Sequence, residues 1–301
     1  MNNKIVVIGS SNTDMVIKSG KLPLPGETVL GGTFMMNHGG KGANQAVAVA
    51  RLGGAVSFVS KVGQDSFGEQ TIKQLNTEGM DTDHIFIDTQ NPSGIALITV
   101  DKNGENSIVV ASGANGSLDI DDVKKIQDVI KQADILLMQL EVPIKTIEYA
   151  AQFANENGVK VILNPAPATF LSDSLLKCLY AIIPNETEAE ILSGLKVTSW
   201  DSAREAANVI GEKGVDVVVI TMGAKGALVK TGSSFFEVPS QKVQAVDTTA
   251  AGDTFCGAFC VALSEGASIE KAVEFANKAA AISVTREGAQ NSIPCRSEVQ
   301  L

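Results

Sequence analysis

The chain has 301 residues, of which 44% are hydrophobic and 19% charged, the balance of a folded globular protein rather than a disordered one. Lys and Arg total 24 against 34 Asp and Glu, a formal charge of −10, which argues against non-specific binding to nucleic acid or an anionic membrane. Phosphorylated small ligands, held by local groups, stay possible. No apolar run approaches the roughly 18 residues of a membrane span, and Ile5-Val6-Val7-Ile8 falls far short of a signal peptide's apolar stretch. The four cysteines, Cys178, Cys256, Cys260 and Cys295, show no C-x-x-C spacing, so a reducing, cytoplasmic setting is expected.

In chain order, KIVVIG (4–9) is a short strand, apolar on both faces. Residues 14–37 lack a helical period and turn at Pro25-Gly26. A Gly-rich segment then leads into an Ala/Val helix ending near Leu52, followed by the strand AVSFVSKV (55–62). Residues 94–111 carry a hairpin signal with Asn103-Gly104 at the turn. Val123, Ile126 and Ile130 repeat with helical spacing before the strands DILLMQL (134–140) and VKVILN (159–164). Ala203, Ala206, Ala207 and Ile210 form another helical stripe before DVVVIT (216–221). An apolar helix over 253–265 and a stripe of Ala272, Phe275, Ala276, Ala279 and Ala280 close the chain.

This alternation predicts an α/β fold, a doubly wound, mostly parallel sheet flanked by helices, in a single domain spanning residues 1–301. The strands drawn from 14–37 and 94–111 have no helices to cover them and are expected to form a small projecting sheet, a lid over the site. Its apolar faces, with Met15, Ile17, Ile95, Leu97, Ile108 and Val110, predict a homodimer through the lid.

Several chemistries are disfavoured by what the sequence lacks. It contains no G-x-x-x-x-G-K-[ST], no G-x-G-x-x-G and no H-R-D, and its two histidines, His38 and His84, lie far apart. The strongest segment is DTTAAGDTFCGAF (247–259). Small Ala250, Ala251 and Gly252 run into a helix, where unobstructed backbone N–H groups would hold an anion. Asp253 sits at the same entrance; alone it reads as a cap on its own helix. A carboxylate inside an anion hole makes sense when it works beside a phosphate.

A second segment, NHGGKGANQA (37–46), surrounds Lys41 with glycines that allow close backbone approach to a ligand. In PNETEAE (184–190) the acidic first turn reads as helix-dipole complementation, or Asn185 and Glu188 face one Mg²⁺–water cluster. Thr221-Met222-Gly223-Ala224-Lys225-Gly226 ends a strand with two glycines. Thr285-Arg286-Glu287-Gly288, taken alone, reads as a helix end with Gly288 just past it.

Together with GSSNTDM, PGETV, LNPAPA and VTREGAQNSIP, these segments resemble the ribokinase family of sugar and nucleoside kinases along essentially the whole chain. The resemblance implies ATP-dependent phosphorylation of a sugar, D-ribose at O5 first of all, with 2-deoxyribose, fructose or a nucleoside as alternatives. It implies Asp253 as general base, with the Ala250, Ala251 and Gly252 N–H groups on the transferring phosphoryl, and Asn12, Asp14, Gly40, Lys41, Asn44 and Glu141 on the sugar. It further implies Asn185, Thr221, Gly223, Lys225, Gly226, Gly252 and Asn277 on ATP, and Asn185 and Glu188 on Mg²⁺ through water. Asp247, Thr249, Ser283, Arg286, Gly288 and Ser292 would surround a monovalent cation such as K⁺. A non-catalytic sugar or nucleotide sensor is the rival of a different class, and it would need neither Asp253 nor the anion hole.

Overall fold

The computed structural model describes residues 4–299. The chain begins with β1 (Lys4–Ile8), β2 (Asn12–Lys18), β3 (Thr33–Gly39), α1 (Lys41–Arg51), β4 (Ala55–Gly63), α2 (Ser66–Thr77) and β5 (Ile85–Asp88). It continues through β6 (Gly94–Val100), β7 (Asn106–Ala111), α3 (Ile120–Lys125), α4 (Gln127–Lys131), β8 (Ile135–Met138), α5 (Ile144–Glu156) and β9 (Lys160–Leu163). The remainder is α6 (Asp173–Leu176), β10 (Ala181–Ile182), α7 (Glu186–Ser193), α8 (Trp200–Glu212), β11 (Val217–Thr221), β12 (Gly226–Thr231), β13 (Ser234–Pro239), α9 (Ala251–Ser264) and α10 (Ile269–Ser283).

Seven strands pair in parallel in the order β11-β10-β9-β8-β1-β4-β5, and β12 and β13 extend the β11 edge as an antiparallel hairpin. The doubly apolar strands explain the layering. In β1, Ile5 and Val7 enter a core built with α1, α9 and α10, while Val6 and Ile8 enter the opposite core with α5 and α8. The chain winds from β1 outward to β4 and β5, then returns to β8 and winds outward the other way. The strand order therefore reverses between β1 and β8, and the loops leaving their C-terminal ends, Gly9–Ser11 and Gln139–Glu141, flank the crevice where such sheets bind ligands.

The segments without helical period form the expected separate sheet, in the order β3-β2-β6-β7. Register sorts its faces, because paired residues share one. Met15 pairs with Met36 and Leu97, and Leu97 with Val109, so these line one face; Asp14 pairs with Ala96, and Ala96 with Val110, on the other. Ile108 and Val110 thus lie on the Asp14 face, not with Met15, Ile17, Ile95 and Leu97, and Phe34, Met36 and Val109 complete the apolar outer face instead.

Three local readings differ. The stripe of Val123, Ile126 and Ile130 is buried as its period requires, but it is carried by two short helices that break at Ile126. α10 ends at Ser283 with Val284 as its cap, so Gly288, at φ +88°, belongs to the following turn and does not terminate the helix. The β12–β13 hairpin gave no sequence signal that stood apart from its surroundings.

Candidate active site

Asp253 lies in the first turn of α9, nearly buried, and does not cap its own helix. Its two oxygens take hydrogen bonds from α1 instead: the Asn44 amide donates to Oδ2 at 2.9 Å and the Gln45 amide to Oδ1 at 2.9 Å. The α9 terminus is consequently left without any side-chain cap. Its cap residue, Ala250, has φ +59° and is the only non-glycine residue with positive φ among the described residues. For an L-residue that conformation costs about 1–2 kcal/mol. A strained, uncapped helix start with small side chains is a backbone surface open to an anion.

The polar residues expected on the sugar converge on one wall. Asn12 and Asp14 begin β2, where the chain crosses from the main sheet into the lid. The Asn12 side chain accepts a 2.8 Å hydrogen bond from the buried Asn115 amide. Glu141, just beyond β8, accepts from the Ser10 hydroxyl and from the Lys41 backbone N–H at 3.0 Å. Two glycines make the close approach possible. A Cβ on Gly39 would sit 2.1 Å from the Asp14 carboxylate, and Gly40, at φ +87°, would put one 2.7 Å from the Asn12 backbone nitrogen.

Charge follows the same geometry. Burial, with Glu141 and Asp253 adding repulsion, pushes the Asp14 carboxyl up to about 7. For Lys41, burial opposes the charge, but the carboxylates of Asp253, Glu141 and Glu188 prevail and raise its ammonium above the usual range. Glu188 is raised by burial, against the opposing effects of its bond from Asn185 and the charge of Lys41.

A cavity of about 200 Å³ lies over the α9 terminus, lined by Lys41, Asn164, Asn185, Glu188, Thr221 and Ala250 through Asp253. It shares Asn185, Thr221, Thr248, Ala251 and Gly252 with a larger cleft of about 550 Å³, walled by Gly223, Gly226, Val243, Asn277 and Val284. A polar pocket carrying a carboxylate therefore adjoins, across the α9 terminus, a larger and more apolar cleft.

The chain matches the description "pfkB family carbohydrate kinase" over residues 2–296. It belongs to that family. It is 51% identical to a ribokinase of Haemophilus influenzae over 298 residues, covering 99% of this chain and 97% of that one. It is also 40% identical to a deoxyribokinase of Salmonella typhi over 291 residues, 96% of this chain and 95% of the other. The solved structure of Arabidopsis thaliana ribokinase complexed with ribose and ATP superposes with a TM-score of 0.92 at 32% identity, covering 99% of this chain and 98% of that chain.

Within this family fold, most of the residues read from sequence come together, with three adjustments. The Ala251 N–H is occupied by a turn to the Thr248 carbonyl at 3.2 Å, so the open donors are those around it, at Ala250 and Gly252. Lys225 turns away from the nucleotide cleft and donates to the Thr198 carbonyl at 3.2 Å, while Thr221, Gly223, Gly226 and Asn277 line the cleft. Asn185 and Glu188 form a reciprocal cap at the start of α7, using Asn185 Oδ1 and Glu188 Oε2, and both also line the cavity; the two readings of that segment hold at once.

The residues expected around a monovalent cation divide. Asp247 accepts from Thr249 through one oxygen and from the Gly288 N–H at 2.9 Å through the other, joining the two loops. Burial would raise this carboxyl, but those hydrogen bonds outweigh it and hold it below the usual range. Ser283 and Ser292 are buried with their hydroxyls turned back to the Ala280 and Ala289 carbonyls, and the Arg286 side chain pairs with Glu298. The residues that sequence reading missed are Gln45, Gln139, Asn164 and Asn115. Gln45 stood inside the Gly-rich motif next to Asn44, and nothing in its spacing marked it as facing Asp253.

The Asp14 shift has a stability consequence with a definite sign. A carboxyl raised from 3.8 to about 7 disfavours folding wherever it must ionise: nothing is lost below about pH 4, stability falls between about 4 and 7, and the full penalty persists above. Asp14→Asn should therefore raise the melting temperature of the ligand-free protein at pH 8 and leave it nearly unchanged at pH 4. Calorimetry at the two pH values checks it; equal shifts at both would mean the carboxyl carries no penalty.

Proposed function

We propose that this chain transfers the γ-phosphoryl group of ATP to the primary hydroxyl of D-ribose, giving D-ribose 5-phosphate and ADP. The observation that carries the reading is the Asp253 carboxylate held by two amides beside an uncapped helix start, in a cavity continuous with the nucleotide cleft. Named ribokinase relatives at high identity and full coverage support the choice of sugar.

Each Asp253 oxygen spends one lone pair on Asn44 or Gln45 and keeps another for the sugar. The carboxylate takes the O5 proton as O5 bonds to the γ-phosphorus and the bond to the β,γ-bridging oxygen breaks. Charge on the phosphoryl oxygens is met by the Ala250 and Gly252 N–H groups and by Lys41, whose ammonium faces the same cavity. Asp14, Asn12 and Glu141 hold the secondary hydroxyls.

Asn185 and Glu188 suit a hydrated Mg²⁺, since the Glu188 Oε1 is not used by the cap and the residue lines the cavity. The ion supplies neutralisation of phosphate charge when bound. The 246–249 and 283–292 segments suit a weakly hydrated cation such as K⁺, because Asp247 joins them, accepting from Thr249 through one oxygen and from the Gly288 N–H through the other. We also infer one catalytic domain over residues 1–301, a cytoplasmic setting, where free Cys256 and Cys260 stay reduced, and a homodimer. The partner surface is the outer lid face, where Ile17, Phe34, Met36, Leu97 and Val109 are exposed together on a sheet with no helix behind it.

A coupled ADP-release assay over a panel of sugars and nucleosides tests the activity; ribose should exceed 2-deoxyribose by about tenfold in kcat/KM, one decade for the roughly 1.4 kcal/mol lost when Asp14 misses a donor hydroxyl. Equal values would favour a deoxyribose kinase, as in the Salmonella typhi relative. Asp253→Asn should lower kcat by about 10²–10⁴-fold with little change in ribose binding, and near-normal turnover would remove the base from Asp253. Exchanging a large organic cation for K⁺ at constant ionic strength should raise kcat, and Asp247→Ala should abolish the response. Light scattering at micromolar concentration should return twice the chain mass, and a monomer would eliminate the lid dimer.

A further inference from the structure

Behind the Gln45 contact to Asp253 lies a chain of buried amides that the chemistry above does not use. Gln45 Nε2 donates twice, to Asp253 Oδ1 at 2.9 Å and to Asn164 Oδ1 at 3.1 Å. The Asn164 amide nitrogen donates in turn to the Ile183 backbone carbonyl at 3.0 Å. Gln45 Oε1 accepts from Gln139 Nε2 at 2.6 Å, and Gln139 Oε1, fully buried against Gly9, has no partner. Gln45 and Gln139 are both at zero exposure.

Polarity in this chain is dictated from its ends. A backbone carbonyl only accepts, so Asn164 must turn its NH₂ toward Ile183 and its oxygen toward Gln45. The Asp253 carboxylate also only accepts. Both neighbours therefore demand N–H groups from Gln45, whose own oxygen is forced toward Gln139. The conflict that remains is displaced to the far end, where Gln139 Oε1 stays unsatisfied. Reversing Gln45 would aim its Oε1 at the Asp253 carboxylate and at Asn164 Oδ1 together, so two acceptors fix which way this amide points.

We propose that Gln45 and Gln139 are positioning residues for phosphoryl transfer, an amide relay running from the Ile183 carbonyl that fixes the Asp253 carboxylate in the orientation that receives the sugar proton. The relay deepens the kinase reading and rests on it. It does not touch the sugar. Its loss is therefore felt in turnover rather than in binding.

The test measures kcat, KM and calorimetric sugar affinity for the full-length chain and three variants, with melting temperatures to establish folding. Gln45→Met removes both donors at similar volume and should lower kcat by about 10–100-fold, with ribose affinity within about threefold of the parent. Gln139→Met should lower kcat by a few-fold only. Gln139→Glu, of nearly the same shape, presents an acceptor to Gln45 Oε1 and favours the reversed amide, so its kcat should fall below that of Gln139→Met. That order is opposite to what volume alone would give, and Gln139→Met carries the test should Gln139→Glu not fold. A parent chain with full sugar-dependent turnover, together with Gln45→Met at parental kcat, would overturn the relay and leave the kinase reading standing. A parent chain that releases no ADP with any sugar would overturn both.

Discussion

The site depends on where one carboxylate spends its hydrogen bonds. An Asp in the first turn of a helix ordinarily folds back onto its own N–H groups, and Asp253 would do so at small local gain. Here the Asn44 and Gln45 amides reach across from α1 and take both oxygens, so α9 starts uncapped with Ala250 in the left-handed region. The exchange gives up a local cap and leaves two features at once: a carboxylate whose orientation is fixed from outside its helix, and open backbone donors at Ala250 and Gly252. It also explains why α1 and α9 pack face to face with small residues, Gly257 against Ala48 among them, since the amides reach only if the helices approach closely.

The supply of charge is equally local. The chain carries a formal −10, yet the ATP it uses is itself a polyanion. Nothing in the net charge attracts a nucleotide; attraction comes from Lys41, set among three carboxylates, and from backbone N–H groups whose dipoles do not depend on pH. Glu141 and Asp253 repel the Asp14 carboxylate, and Asp253 repels Glu188, a repulsion that donor groups of a bound ligand would relieve. The ligand-free protein is thus locally destabilised where it will be filled.

How much of this was legible in the sequence varies with the kind of constraint. Doubly apolar strands such as Ile5-Val6-Val7-Ile8 announce a covered parallel sheet, because no other arrangement buries both faces, and two stretches without helical period announce a second sheet. The small-residue run before Asp253 and the glycines around Lys41 were readable because backbone approach admits few residue types. What was not readable is orientation. Ile108 and Val110 alternate properly for a strand, but which face they take is set by pairing with β6, a register that local sequence does not encode. Lys225 sits in a cleft motif and points away, and Arg286 likewise finds Glu298. Gln45 is the instructive omission: a glutamine in a helix is unremarkable until its partners, 119 and 208 residues distant in sequence, are known.

Strand register also ties the lid to the site. β2 begins at Asn12, directly after the β1 strand end, and its first residues do double duty. Asn12 pairs with Gly39 and Gly94 in the lid sheet while its side chain is held by Asn115, and Asp14, two residues on, faces the same side. A strand repeats its facing every two residues, so the register that places Asn12 over the crevice places Asp14 there as well, and Met15 and Ile17 must then turn outward. The exposed apolar face of the lid is therefore the geometric counterpart of the polar wall that Asn12 and Asp14 share. Any change that buried it by slipping the strand one residue would turn Asp14 away from the crevice, which leaves covering that face from outside as the way to satisfy both.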